Sequence, residues 1–294
     1  MKWLKKNDDH SNLEDRRGRG GVGKKAGGGI LAIIIVVVAM LMGKDPGQFL
    51  QVADIVTGEL GVGVPDQTEV VDAARMNENE DLKVVTLRVF NSCNDVWTKI
   101  FVEELGRSYQ KPNLVVFTDQ TTSGCGGASS AMGPFYCPAD AKVYIDLNFF
   151  HELANRFRAP GELAMAYVTA HEVGHHVQHL LGLTDRVHRM RGKVSDSEYN
   201  KLSVRLELQA DFFAGLWAHY ADKMGIIALE AGDLESAMRA AQAIGDDALQ
   251  KAAQGYIVPD SFTHGTSTQR SRWFKLGYTT GNFKQGDTFS SRDL

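Results

Sequence analysis

Two histidines four residues apart constrain this chain more than any other feature of its 294 residues. His171 and His175 lie in an apolar stretch that opens at Pro160, a residue suited to the first position of a helix. The stretch runs to Leu181, before the stop signal Gly182. In a helix, positions i and i+4 project from one face, so the two imidazoles address the same partner. Rings placed this way can reach one zinc ion through Zn–N bonds of about 2.0–2.1 Å. Glu172 lies between them, turned by about a hundred degrees around the helix. It can lean over a water at an open metal position without ligating, as a general base does. His176 is rotated off the face and reads as non-ligating, whereas His179 continues the face and competes as a third ligand. Gly174 leaves room for another backbone or a substrate.

A catalytic zinc takes three protein ligands and keeps one position open. The next helical stretch offers Glu207-Leu208-Gln209-Ala210-Asp211 among Leu206, Phe212, Phe213, Leu216 and Trp217. Two carboxylates on so apolar a helix are costly to bury without partners. Glu207 as ligand and Asp211 as acceptor for a metal-bound imidazole would satisfy both. The competing reading is a salt-bridged pair with Arg205 or a distant lysine.

Charge is unevenly distributed. Residues 1–25 carry eight basic and four acidic side chains within a chain of net charge −4. The remainder, at about −8, argues against nucleic acid as the main partner. Ala26–Gly43 has no charged residue, and Ile30–Met42 is continuously apolar. This length falls within the roughly 17–25 residues that a bilayer requires. A buried core helix would show water a polar face, which this segment lacks. A cleaved signal peptide would end in a small-x-small pattern, absent from Ala39-Met40-Leu41-Met42-Gly43. The reading is a single-pass anchor with the basic N-terminus cytoplasmic and the body extracytoplasmic, on the periplasmic side. In that oxidising compartment Cys125 and Cys137, which flank a Gly-rich turn, form the expected disulfide, with Cys93 left over; three free thiols is the alternative.

Residues 1–25 therefore read as a cytoplasmic tail, 26–43 as the anchor, 44–78 as a linker and 79–294 as the folded domain. Leu82, Val85, Val89 and Phe90 suit one helix. Ser92 with Asp95 looks like the cap of a second, presenting Trp97, Phe101 and Leu105. Leu114–Phe117 and Val143–Leu147 read as strands around the Gly-, Ser- and Pro-rich stretch Thr121–Asp140, which could offer a sheet edge to an extended peptide. From Asn148 the pattern is helical, with capping boxes at Ser195/Glu198 and Thr266/Gln269 and a cap at Asp233. Helices, a small sheet, then helices make an α+β domain.

His171-Glu172-Val173-Gly174-His175 followed by Glu207-Leu208-Gln209-Ala210-Asp211 resembles the paired motifs of the gluzincin branch of the zincin metallopeptidases. Further stretches are Gly133-Pro134-Phe135-Tyr136-Cys137-Pro138-Ala139-Asp140, Val143-Tyr144-Ile145-Asp146-Leu147 and Asp260-Ser261-Phe262-Thr263-His264-Gly265. With these and the anchor, the chain resembles the bacterial neutral zinc metallopeptidase family over nearly all its length after the linker. The resemblance implies a zincin-like fold and zinc held by His171, His175 and Glu207. It also implies Glu172 as the base, and hydrolysis of peptide bonds in a peptide or protein substrate. Thr263-His264 with Arg270 resembles a Thr-His…Arg element of membrane-associated gluzincins, in which the His can donate to the oxyanion. Here Gly265 stands where those relatives usually have Pro; the other reading of His264 is a capping or core residue. From another class, a membrane-anchored zincin fold could bind or scaffold without cleaving, but Glu172 is intact. A structural zinc module is disfavoured by the three-ligand set and the potential base.

Overall fold

Glu80–Leu105 forms one continuous helix, α1, where the sequence reads two. Ser92 does not cap anything. It is buried in mid-helix, where its Oγ donates to the Val89 carbonyl at 2.6 Å and accepts from Trp217 Nε1 at 2.9 Å. Tertiary partners absorb a hydroxyl that would otherwise favour a helix start. The structure is a computed structural model and describes residues 1–18 and 77–294. The expected anchor at residues 26–43, and nearly all of the linker at 44–78, lie outside the described residues. No helix among the described residues is long and apolar enough to cross a membrane.

The central sheet has the order β2-β3-β7-β6. Its strands are Leu13–Asp15 (β2), Asn113–Phe117 (β3), Phe135–Cys137 (β6) and Lys142–Asp146 (β7), preceded by the short β1 at Lys2–Trp3. β2, β3 and β7 run parallel, and β6 closes one edge antiparallel to β7. Alternation sorts the side chains. Leu114, Val116, Val143 and Ile145 join the main helical core, while Val115, Phe117, Tyr144 and Cys137 form a smaller cluster on the other face. The Gly-rich stretch, read as a turn that could offer a sheet edge, contains most of a hairpin of Gln120–Ser123 (β4) and Gly126–Ser129 (β5). Cys125 at its tip is bonded to Cys137 in β6, with Cα atoms 5.8 Å apart, so the hairpin is tied to the sheet edge.

The second half is mostly helical: Asn148–Asn155 (α2), Glu162–Leu180 (α3), Leu183–His188 (α4) and Asp196–Lys223 (α5). After the two-residue β8 at Ile227–Ala228 follow Asp233–Ala243 (α6), Asp246–Gln254 (α7) and Ser267–Thr280 (α8). Both capping boxes are formed, at Ser195/Glu198 on α5 and at Thr266/Gln269 on α8. Asp233 is the first residue of α6, behind Gly232. α3 lies between the sheet and α5, and α5 packs along α8. That last contact is backbone to backbone: a Cβ at Gly215 would stand 2.0 Å from the Phe274 carbonyl oxygen, and one at Gly277 would stand 2.1 Å from that of Phe212. The result is a mixed α+β fold.

The N-terminal residues do not form a separate tail. β1 pairs antiparallel with β8, Trp3 opposite Ile227, and β2 adds parallel to β3, Glu14 opposite Val115. Arg17 is buried and bonds Asp15 at 2.6 Å and Glu80 at 2.8 Å. Arg88 holds Asp8 at 2.6 Å, and Lys142 pairs with Glu14. The sequence starts the folded body at residue 79, but the structure builds residues 1–17 into it. Strands of two and three residues have no readable period, and charges that look like a solvated tail have found partners across the fold.

Residues 1–17 and 77–294 thus meet in hydrogen-bonded strands, and a single crossing at residues 26–43 would pull those strands to opposite faces of a membrane. The pairings and such a crossing exclude each other in one molecule. Cysteines placed at the exposed Ser11 and at Val102, which is 59% exposed, should therefore respond alike to a membrane-impermeant maleimide on spheroplasts: both labelled, or both protected until lysis. Background is low because Cys93 is buried and Cys125 and Cys137 are bonded. Labelling at one position only would mean that a single crossing does separate them.

Candidate metal centre

α3 and α5 bring the His171, His175 and Glu207 side chains to one point, with one donor atom of each within 4.8 Å of the others. His171 Nε2 lies 3.1 Å from His175 Nε2 and 3.2 Å from Glu207 Oε2, and His175 Nε2 lies 3.5 Å from Glu207 Oε1. Ligands about 2.0–2.1 Å from a tetrahedral zinc stand about 3.3 Å apart, so these separations fit the ion. Gly174 lets the two helices come this close: a Cβ there would meet Ala210 Cα of α5 at 3.2 Å.

The protons of both rings are committed away from this point. His171 Nδ1 lies 2.8 Å from Asp211 Oδ1, an acceptor, so it carries the hydrogen. His175 Nδ1 likewise faces Gln178 Oε1 at 2.9 Å. In its neutral form, either ring would therefore turn an Nε2 lone pair inward, towards the Glu207 carboxylate. Three acceptors this close require a cation, either a metal or a proton. Burial alone would lower the His171 pKa, but Asp211 and Glu207 outweigh it and push the ring up to about 10. Burial would raise Glu207, yet the two histidines hold it well below the usual carboxylate range. Zinc would replace that proton.

Asp211 is fully buried and serves three elements at once. It accepts from His171, from Tyr167 Oη at 2.5 Å, and from Arg270 Nε and Nη2 at 2.9 and 3.0 Å. Burial would raise its pKa, but Arg270 and His171 prevail and lower it. The two sequence readings of this residue, imidazole acceptor and salt-bridge partner, are both present, with Arg270 as the cation. Arg205 instead reaches the carbonyls of Thr288 and, at 3.1 Å, Ser291. Glu172 is 7% exposed beside the two histidines, and burial raises its pKa.

The other histidines separate cleanly. His176 binds the Gln110 carbonyl at 2.7 Å and Tyr136 Oη at 3.0 Å, and burial takes its pKa down to about 4. His179 packs beside Tyr136 and is outside the ligand cluster. His264 lies near enough to Glu207 for their charges to couple. Its Nδ1 is held by Thr263 Oγ1 at 2.9 Å and Asp246 Oδ1 at 3.2 Å. Burial would lower its pKa, but Asp246 outweighs this and raises it. The sequence does not single out Asp246, which looks like an ordinary acid at a helix start. Its Oδ2 takes the N–H groups of Thr263, His264 and Gly265 at 2.7, 2.6 and 3.0 Å. Gly265 has φ +91° and donates that N–H, so a proline, with φ fixed near −65° and no N–H, does not fit this loop. Gln178 was also missed, since a glutamine one turn beyond a histidine carries no sequence signal.

A profile of the family described as "Putative neutral zinc metallopeptidase" matches residues 1–289, which include both N-terminal strands. The chain is 43% identical over 297 residues to a protein of Escherichia coli (strain K12) named "Uncharacterized protein YpfJ", covering 98% of this chain and 99% of that one. It is 39% identical over 265 residues to a protein of Mycobacterium bovis named "Uncharacterized protein Mb2605", covering 87% and 86% of the two chains. No solved structure gives a significant match.

Removing Asp211 should have two separable effects. Asp211→Ala should weaken zinc binding by about 10–100-fold, because His171 loses its orienting acceptor. It should also destabilise the metal-free protein by about 3–5 kcal/mol, because Arg270 is left buried and unpaired. Competition with a chelating dye reads the first effect and denaturant unfolding the second. Unchanged zinc affinity with lowered stability would reduce Asp211 to a salt-bridge partner.

Proposed function

The chain belongs to the neutral zinc metallopeptidase family, and from that premise we propose that it is a zinc-dependent endopeptidase acting on peptide or protein substrates. The observation that carries the reading is the convergence of two imidazole lone pairs and the Glu207 carboxylate, with both ring protons committed outward. Its neighbourhood points the same way. Glu172, Glu207 and Asp211 oppose one buried guanidinium, Arg270, an imbalance that a divalent cation offsets. A zinc ion held by His171, His175 and Glu207 would polarise the scissile carbonyl and acidify a water.

The residues supply the rest. Glu172 takes the proton of the attacking water and passes it to the leaving amine; its burial-raised pKa suits a group that must both accept and return a proton. His264, held by Asp246 through Nδ1, donates from Nε2 to the developing oxyanion. An extended substrate adds to the outer edge of β6, the edge strand that packs against α3 and is tied to the hairpin by Cys125–Cys137. An active-site helix against a sheet with such an edge supports a zincin-like fold. We extend the reading to location: the bonded cysteines support an oxidising, extracytoplasmic compartment for the body, and the apolar run at residues 26–43 supports membrane attachment that leaves residues 1–17 on the same side as the body they pair with.

Incubation of the purified full chain with a peptide library, with and without chelator, tests the reading. Glu172→Gln should keep the fold and the zinc and lose about 10²–10⁴ in turnover, because an amide cannot accept the proton. Retained turnover in that variant would assign the base elsewhere. A zinc-loaded wild-type chain that cleaves nothing would favour the non-catalytic binding protein.

His264→Ala should lower kcat by about 10²–10³ with little change in zinc affinity, the pattern of a lost oxyanion donor. A change in melting temperature alone, with kcat intact, would make the residue structural.

A further inference from the structure

The second imidazole of the centre is oriented by a neutral relay quite different from the charged one behind the first. Gln178 is completely buried one turn beyond His175 on α3. Its Oε1 faces His175 Nδ1 at 2.9 Å, while its Nε2 donates to the Leu206 carbonyl at 2.6 Å and to Gln209 Oε1 at 3.1 Å. Gln209, only 5% exposed, passes its own Nε2 to the Gly286 carbonyl at 2.7 Å.

We propose that Gln178 is the positioning residue of His175, and that the backbone carbonyls of Leu206 and Gly286 decide through it which ring nitrogen is left to ligate. The proposal rests on the metal-centre reading above. Its logic is directional. A side-chain amide can be turned either way, but a carbonyl only accepts. The Gly286 carbonyl therefore fixes Gln209 with its nitrogen outward and its oxygen towards Gln178. The Leu206 carbonyl and that oxygen both demand the nitrogen of Gln178. Its oxygen then has one place to go, and His175 must meet it with Nδ1–H, leaving Nε2 bare.

The far end of the relay is firmly held. Gly286 ends a 3-10 turn, Phe283–Gly286, whose Phe283 ring stacks on Phe213 with centroids 5.9 Å apart. Beyond it the buried Thr288 donates to the Arg205 carbonyl at 2.6 Å. The C-terminal segment thus acts on the centre without touching it. Asp211 raises the basicity of His171 by charge. Gln178 instead orients His175 without adding another negative charge to a site that already holds three carboxylates.

The test compares zinc affinity, by competition with a chelating dye, in Gln178→Met, Gln209→Met and His175→Ala of the full chain, with melting temperatures measured metal-free and zinc-loaded. Gln178→Met should weaken zinc by about 10–100-fold and shrink the melting-temperature gain on adding zinc. Gln209→Met should do the same to a smaller degree, since the Leu206 carbonyl still orients Gln178. If Gln178→Met binds zinc as wild type does while His175→Ala loses it, the proposal is overturned and Gln178 only fills the interface between α3 and α5. If His175→Ala also keeps its zinc, the metal-centre reading itself fails, and the proposal with it.

Discussion

Everything around the centre hangs on one carboxylate with no access to water. Asp211 belongs to α5, takes Tyr167 and His171 from α3, and takes the Arg270 guanidinium from α8. A lone buried charge costs several kcal/mol, so the three helices must meet where its partners satisfy it. The glycine-lined contact of α5 with α8 sets the depth at which Arg270 arrives. Packing and electrostatics therefore fix the same geometry, and the imidazole that Asp211 orients is one of the three side chains that could hold a metal ion.

The charge pattern follows from this anchor. Asp211 is matched by Arg270, and the Glu207 carboxylate faces two lone pairs instead of a fixed cation. Without a metal, Asp211 first and Glu207 second favour a proton on His171, so its pKa rises although the ring is buried. Three acceptors, on His171, His175 and Glu207, thus surround a position that could hold positive charge. Asp246 repeats the strategy at the edge of the site, where one carboxylate gathers three backbone N–H groups and an imidazole to hold the loop of His264.

The sheet that supports α3 is completed from far away in the chain. β2 lengthens its parallel side and β1 clips onto β8, so residues before the apolar run and residues after it share one fold. The family match from residue 1 agrees with a segment that belongs to the domain. Nothing in residues 1–17 advertised this, because short strands and mixed charges look the same whether they are paired or solvated. Ser92 illustrates the converse case, a strong local signal for a helix start overridden once Trp217 supplied a partner for its hydroxyl.

The sequence by itself determined what short-range periodicity and chemistry can encode. The four-residue spacing put His171 and His175 on one helical face, and Gly182 marked the end of their helix, although it starts at Glu162 behind Gly161 and not at Pro160. The capping boxes started α5 and α8, and β-branched runs marked β3 and β7. The apolar surroundings of Glu207 and Asp211 required partners without naming them. Only the tertiary structure chose those partners: Arg270 and not Arg205 for Asp211, Gln178 for His175, Asp246 for His264, and the N-terminal strands for the sheet. The division has a physical cause. Helix phase and capping depend on neighbours within about four residues, which the sequence displays. The partner of a buried polar group is whichever complementary group the packing of distant elements brings within about 3 Å, and that is a property of the folded chain alone.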